Sequence, residues 1–141
     1  MEKQVIDDKI KELFISSRVI AIVGASNNKD KDSNKVMKFL QRAGYKVIPV
    51  NPTSINSYIH GEKVYGSLTD IKQNVDIVDV FRPSEEAEEI AKQAIEIGAS
   101  ALWLQLNIDN DKAKDAVVKN KIYYIANKCT KIEFERLFRG S

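Results

Sequence analysis

The residues able to do chemistry in this sequence are few. A glycine ends an unbroken apolar run at Val23-Gly24-Ala25-Ser26, a lysine-rich stretch follows it, and His60 and Cys129 are the sole imidazole and thiol. A tight turn leading from a strand toward a helix presents backbone N–H groups to a phosphate, and Gly24-Ala25-Ser26 stands at such a place. Gly24 is expected to bring backbone closest to the anion. Against the dinucleotide fingerprint G-x-G-x-x-G, Gly24 matches while Ser26 and Lys29 fill the other glycine positions, so the bare motif is weak. NAD sites place an acid ~20 residues on to hold the ribose hydroxyls. Here Asn51 ends the second apolar run, and a neutral residue tolerates a phosphorylated ribose.

Between Ser26 and the helix that follows, Lys29, Lys31, Lys35 and Lys38 outnumber Asp30 and Asp32 by two. Alone, that run reads as a solvated face; beside a strand-end glycine it reads as the basic rim of a phosphate site. Phe81-Arg82-Pro83 closes another apolar run. Its guanidinium could meet a phosphate while the ring packs on a base, or it is a surface arginine above a strand-terminating proline. A Cys-His pair is the one conventional acyl-transfer arrangement available. His60, however, follows the second strand and Cys129 the fifth, so His60 reads as a solvated loop histidine and no catalytic residue is expected. Asp76 and Asp79 fall on opposite faces of one strand, which excludes a paired acid and base and leaves Asp79 to cap a neighbouring loop. One cysteine and one histidine also exclude an intrachain disulfide and any cysteine-rich or multi-histidine metal site.

The hydrophobic period supplies the elements that must position these residues. Val5, Ile6, Ile10, Leu13 and Phe14 share one helical face, and Val19-Ile20-Ala21-Ile22-Val23 lacks polar alternation, as a strand buried on both faces does. Val36, Met37, Leu40 and Ala43 recur at helical spacing as far as Gly44, placed to cap a helix. The second strand, Val47-Ile48-Pro49-Val50, contains a proline that cannot donate to a ladder and so belongs at a bulge or an edge. A polar connection holding His60, Gly61 and Gly66 leads to a third strand over residues 75–80. Ser84 reads as the cap of a helix whose first turns carry Glu85, Glu86, Glu88 and Glu89 and which Gly98 closes. Ala101-Leu102-Trp103-Leu104 runs into Gln105; a helix over 109–119, a strand Ile122-Tyr123-Tyr124-Ile125 and a short helix over 132–138 follow. This alternation predicts an α/β fold in three layers: a five-stranded, doubly wound parallel sheet of order 3-2-1-4-5, with helices on both faces. Its ligand crevice lies at the carboxyl ends of the strands.

At 141 residues and 15.9 kDa the chain fits one domain, 1–141, with no room for a catalytic partner domain. Hydrophobic residues at 43% beside 30% charged residues exclude a disordered or fibrous chain. A net charge of +2 predicts no nucleic-acid footprint. No apolar run reaches membrane length and the amino terminus carries no secretory pattern, so no membrane association and a cytoplasmic location are expected. Arg139-Gly140-Ser141 reads as a vector-derived remnant.

Taken together, Val23-Gly24-Ala25-Ser26, residues 36–40, Gly44-Tyr45, Val47-Ile48-Pro49-Val50-Asn51-Pro52, Gly61-Glu62-Lys63-Val64-Tyr65, residues 75–83, Trp103-Leu104-Gln105 and Cys129 resemble the single-domain CoA-binding proteins. The match runs in order and at family spacing over residues 19–137. The same domain is similar to the nucleotide-binding domain of succinyl-CoA synthetase α subunits. The resemblance implies a Rossmann-like fold whose crevice takes coenzyme A or an acyl-CoA. It places Gly24, Ala25 and Ser26 on the diphosphate, Asn51 and Pro52 along the nucleotide pocket, and Phe81, Arg82, Pro83 and Gln105 on its other wall. Lys29, Lys35 and Val36 complete the set where the helix opens. Lys35 replaces a glycine common in the family and offers an extra cation; Asn107 replaces another.

The phosphohistidine of ligase α subunits lies in a second domain, for which this chain has no length. The implied function is therefore a non-catalytic binding, carrier or sensor module for CoA, with any protein partner left open. A small NADP-dependent oxidoreductase is the alternative for the same crevice, but needs a proton donor such as a Tyr-Lys pair, and Tyr123 and Tyr124 lie inside the last strand. A structural interaction protein without nucleotide affinity is a third class. A lone cysteine such as Cys129 is most often a buried filler. Flanked by Lys128 and Lys131, it is also a candidate for thiol exchange with CoA, whose own thiol rides on a long arm.

Overall fold

The computed structural model describes residues 2–139. Helix α1 (Glu2–Ser16) leads into β1 (Val19–Val23), followed by α2 (Asp32–Arg42), β2 (Lys46–Val50) and a small antiparallel hairpin of β3 (Tyr58–Ile59) and β4 (Glu62–Lys63). Then come β5 (Ile77–Val80), α3 (Ala87–Glu96), β6 (Ala101–Leu104), α4 (Asp111–Lys119), β7 (Tyr123–Ile125) and α5 (Thr130–Phe138). The longer strands form one five-stranded parallel sheet. Because successive side chains in a strand point to opposite faces, Ile20, Ile22, Ile77 and Trp103 pack against α1, α2 and α5. Val23, Val78, Val80 and Leu102 pack against α3 and α4. Both faces are covered, which is why the strands read as continuous apolar runs.

The three-layer, doubly wound architecture is the expected one, but its strand order is not. The sheet runs β2-β1-β5-β6-β7, so the third long strand lies beside the first rather than outside the second. The reason is Pro49. Its carbonyl faces the outer edge of β2, where it accepts from Tyr65 N (3.0 Å), and a residue's N and O point to the same side of a strand. That edge thus lacks a donor at Pro49 and takes only the single bridge of Val50 to Tyr65. β5 pairs instead with β1, a ladder that Asp76 N to Val19 O (2.9 Å) and Phe81 N to Val23 O (2.8 Å) extend at both ends. Phe81 and Arg82 consequently stand next to Gly24.

Ser84 is a second departure. It opens a 3-10 turn (Ser84–Glu86) ahead of α3 without capping it; its Oγ accepts from Asp109 N at 3.2 Å, and its carbonyl from Asn110 Nδ2 at 2.8 Å. The helix start is thereby tied to the loop before α4. No described helix is long and apolar enough to cross a membrane. Arg139 stacks its guanidinium 5.4 Å from the Phe39 ring centre, whereas Gly140 and Ser141 lie outside the described residues.

Candidate functional site

Two adjoining clefts open where β1, β2 and β5 end. The larger, about 480 Å³, has Val23, Val50, Leu68 and Ile90 as its apolar floor and Glu85, Glu86, Glu89 and Gln93 along one wall. The smaller, about 400 Å³, is formed by the turn Gly24-Ala25-Ser26 and the first residues of α2, Asp32 and Ser33, with Lys31 beside them. Gly24, Asn51 and Arg82 belong to both.

The turn is held from behind. Gly24 has φ +90°, and the N–H groups of Gly24 and Ala25 both donate to Val50 O, at 2.9 and 3.3 Å. They are therefore spent within the fold. Asn51 donates from Nδ2 to Ala25 O (2.8 Å) and accepts on Oδ1 from Thr53 N (2.9 Å) and Thr53 Oγ1 (2.8 Å), so it braces the turn. Buried Asn34 donates to Ser26 O (2.8 Å) and accepts on Oδ1 from His60 Nε2 (2.9 Å). His60 is accordingly a half-buried member of this network, not the solvated loop histidine expected.

Among the described residues the N–H groups of Ser26, Asp32 and Ser33 have no acceptor, and Lys31 supplies no side-chain cap to α2. Ser33, only 5% exposed, has a hydroxyl without a partner and faces the same cleft. Free helix-terminal donors, the positive end of the helix macrodipole and an unpaired hydroxyl at the cleft surface are gathered here, with Lys31 offsetting the Asp32 carboxylate.

Arg82 runs across Gly24 and grips Glu86 through Nε to Oε1 (3.0 Å) and Nη2 to Oε2 (2.6 Å). The carboxylate raises the Arg82 pKa, and the guanidinium holds Glu86 below the usual carboxylate value. Pro52 lies on the larger cleft and Phe81 on the smaller, with the Phe81 ring packed into the layer of α1, α2 and α5. Lys29 and Lys35 are exposed and Val36 sits in the core; with Pro83, they line neither cleft. Gln105 turns inward, donating to Asp79 and to Thr130 Oγ1 (3.1 Å), while Thr130 Oγ1 donates to Asp79 Oδ2 (2.9 Å). Asp79 thus clasps the start of α5. Burial pushes its pKa up to about 7, against the opposing pull of the Gln105 and Thr130 hydrogen bonds. Cys129 precedes α5, half-buried against the same helical layer and outside both cleft linings. Tyr124 donates its hydroxyl to Asp109, and Tyr123 lies 5.8 Å from Lys9 Nζ, measured at its ring centre.

The cleft wall of Glu85, Glu86, Glu89 and Gln93, and the pair Asn34 and Ser33, were not foreseen as site residues. The spacing of four from Glu89 to Gln93 was the available signal: it puts them on one face of α3, with Glu85 four residues earlier in the turn that leads into it.

A doubly wound α/β sheet with a tight glycine turn after its first strand and an apolar cleft beside it is Rossmann-like in class. The CoA binding domain family matches residues 18–135, and the chain belongs to that family. It is 37% identical over 124 residues to YneT of Bacillus subtilis (strain 168), covering 88% of this chain and 90% of that one. A protein of Pyrococcus horikoshii OT3 is also 37% identical, with a TM-score of 0.88 over 93% of this chain and 91% of that chain. The dinucleotide forming acetyl-coenzyme A synthetase 1 of Ca. Korarchaeum cryptofilum, at 22% identity and TM-score 0.69, shares the fold; the match covers 82% of this chain and 26% of that one.

Proposed function

We propose that this protein binds coenzyme A or an acyl-CoA across the two clefts, as a non-catalytic binding, carrier or sensor module. The observation that carries the reading is the set of unpaired donors at Ser26, Asp32 and Ser33, which fits a diphosphate at the turn. Charge divides the ligand. Glu85, Glu86 and Glu89 face the larger cleft against a single cation, Arg82, so that cleft suits the uncharged base on its apolar floor. The smaller cleft, with Lys31, Arg82 and the α2 terminus, suits the phosphates. Membership of the CoA binding domain family supports the same ligand.

A thermal-shift panel of CoA, acetyl-CoA, NADPH and ATP tests this. Ligand at ~100 times its dissociation constant adds about 2.7 kcal/mol of stability. CoA or acetyl-CoA is expected to give the largest shift. A larger shift with NADPH favours the oxidoreductase alternative, and no shift with any of them favours a structural protein.

A further inference from the structure

The waist between the two clefts is made by Gly24, Asn51 and Arg82. Gly24 has no side chain and Asn51 is consumed in bracing the turn, so Arg82 is the one group there with charge to offer. It is already taken. Its two bonds to Glu86 measure 3.0 and 2.6 Å, and the two side chains are each 46% exposed. An ion pair this exposed is weak and screened by salt, so a dianionic group arriving beside it competes on favourable terms. Arginine presents donors in a planar fork that serves a carboxylate or a phosphate equally well, and rotation about its side chain transfers it between them. Glu86 belongs to the acidic wall of the larger cleft, and Arg82, lying against Gly24, lines both clefts.

We propose that Arg82 and Glu86 form a latch across the waist, in which Glu86 competes with the ligand diphosphate for the guanidinium and thereby sets the affinity of the site. This deepens the CoA-binding reading and rests on it. Glu86 weakens binding while it holds Arg82; when the diphosphate seats at Ser26 and Ser33, Arg82 leaves Glu86 and closes over the bound phosphates.

The test is a double-mutant cycle read by calorimetric titration with CoA and with dephospho-CoA, using the whole chain as wild type, Glu86→Gln, Arg82→Ala and both together. Glu86→Gln is expected to tighten CoA binding about three- to tenfold when Arg82 is present. In the Arg82→Ala background, itself weakened about tenfold or more, the gain is expected to vanish. Dephospho-CoA, which keeps the diphosphate, is expected to give the same pattern. No gain from Glu86→Gln, or an equal gain with and without Arg82, overturns the latch, since the second result means a general repulsion by Glu86. A gain confined to CoA overturns the diphosphate as the captured group. Loss of saturable binding already in the wild type overturns the CoA-binding reading, and the latch falls with it.

Discussion

The α-carbon of Gly24 faces the backbone of Phe81: a Cβ added at Gly24 would stand 2.8 Å from Phe81 O, 3.1 Å from Phe81 C and 2.8 Å from Arg82 Cδ. Glycine is required here by the neighbouring strand, and by φ +90°, before any ligand arrives. Gly24→Val therefore disturbs the fold as well as the site. Gly24→Ala is expected to destabilise by roughly 1–3 kcal/mol from the left-handed backbone alone, with the contact at Phe81 adding to it. Urea unfolding of the two proteins measures this, and an unchanged midpoint contradicts it.

His60 reaches the Gly24-Ala25-Ser26 turn through Asn34, with links of 2.9 and 2.8 Å to Asn34 Oδ1 and from Asn34 Nδ2 to Ser26 O. Removing the ring leaves a nearly buried amide oxygen short of a donor, at a cost of roughly 1–3 kcal/mol. His60→Ala is expected to lose stability within that range and to bind CoA more weakly. Calorimetry beside unfolding checks both, and full CoA affinity in His60→Ala would free the turn from His60.

Asp79 gives stability a pH dependence with a definite sign. Its pKa is about 7 in the folded protein against a reference of 3.8, so the folded state holds the proton more tightly than the unfolded one. The contribution is complete below about pH 4 and is lost as pH rises through about 7. Asp79→Asn is expected to flatten this part of the profile. Unfolding midpoints measured from pH 4.5 to 7.5 decide it; parallel slopes in the two proteins contradict the assignment.

Cys129 lies at the start of α5, half-buried and outside both clefts, so thiol exchange requires the CoA arm to extend beyond the clefts to α5. With that reach, oxidised CoA is expected to leave a reducible adduct on the wild type and none on Cys129→Ser. Intact mass with and without reductant reads the outcome, and an equal adduct on both removes Cys129 from the account.

The layers of the fold were legible because burial on two faces leaves a mark in composition. Val19–Val23 and Ala101–Leu104 carry no polar residue, and each lies inside the sheet. Strand order was less legible, since its mark is a single proline: Pro49 read as a bulge or an edge, and a further strand was placed outside it. The turn at Gly24-Ala25-Ser26, with Asn51, Phe81 and Arg82, was found from strand ends alone. What escaped was how those groups are spent. That Gly24 and Ala25 donate to Val50, that Asn51 braces the turn, and that Gln105 faces Asp79 depend on contacts between residues distant in sequence. Ser33 was missed because an unpaired hydroxyl is recognised only when everything around it is placed.

Titration of isotope-labelled protein with CoA, followed at the backbone amides of the turn, tests the central claim most directly. The amide protons of Ser26, Asp32 and Ser33, unpaired among the described residues, are expected to move downfield together and saturate as the diphosphate accepts from them. Those of Gly24 and Ala25, already bonded to Val50, are expected to move less. Saturation of the protein by CoA with no response at Ser26, Asp32 and Ser33, or no saturation at all, contradicts the account.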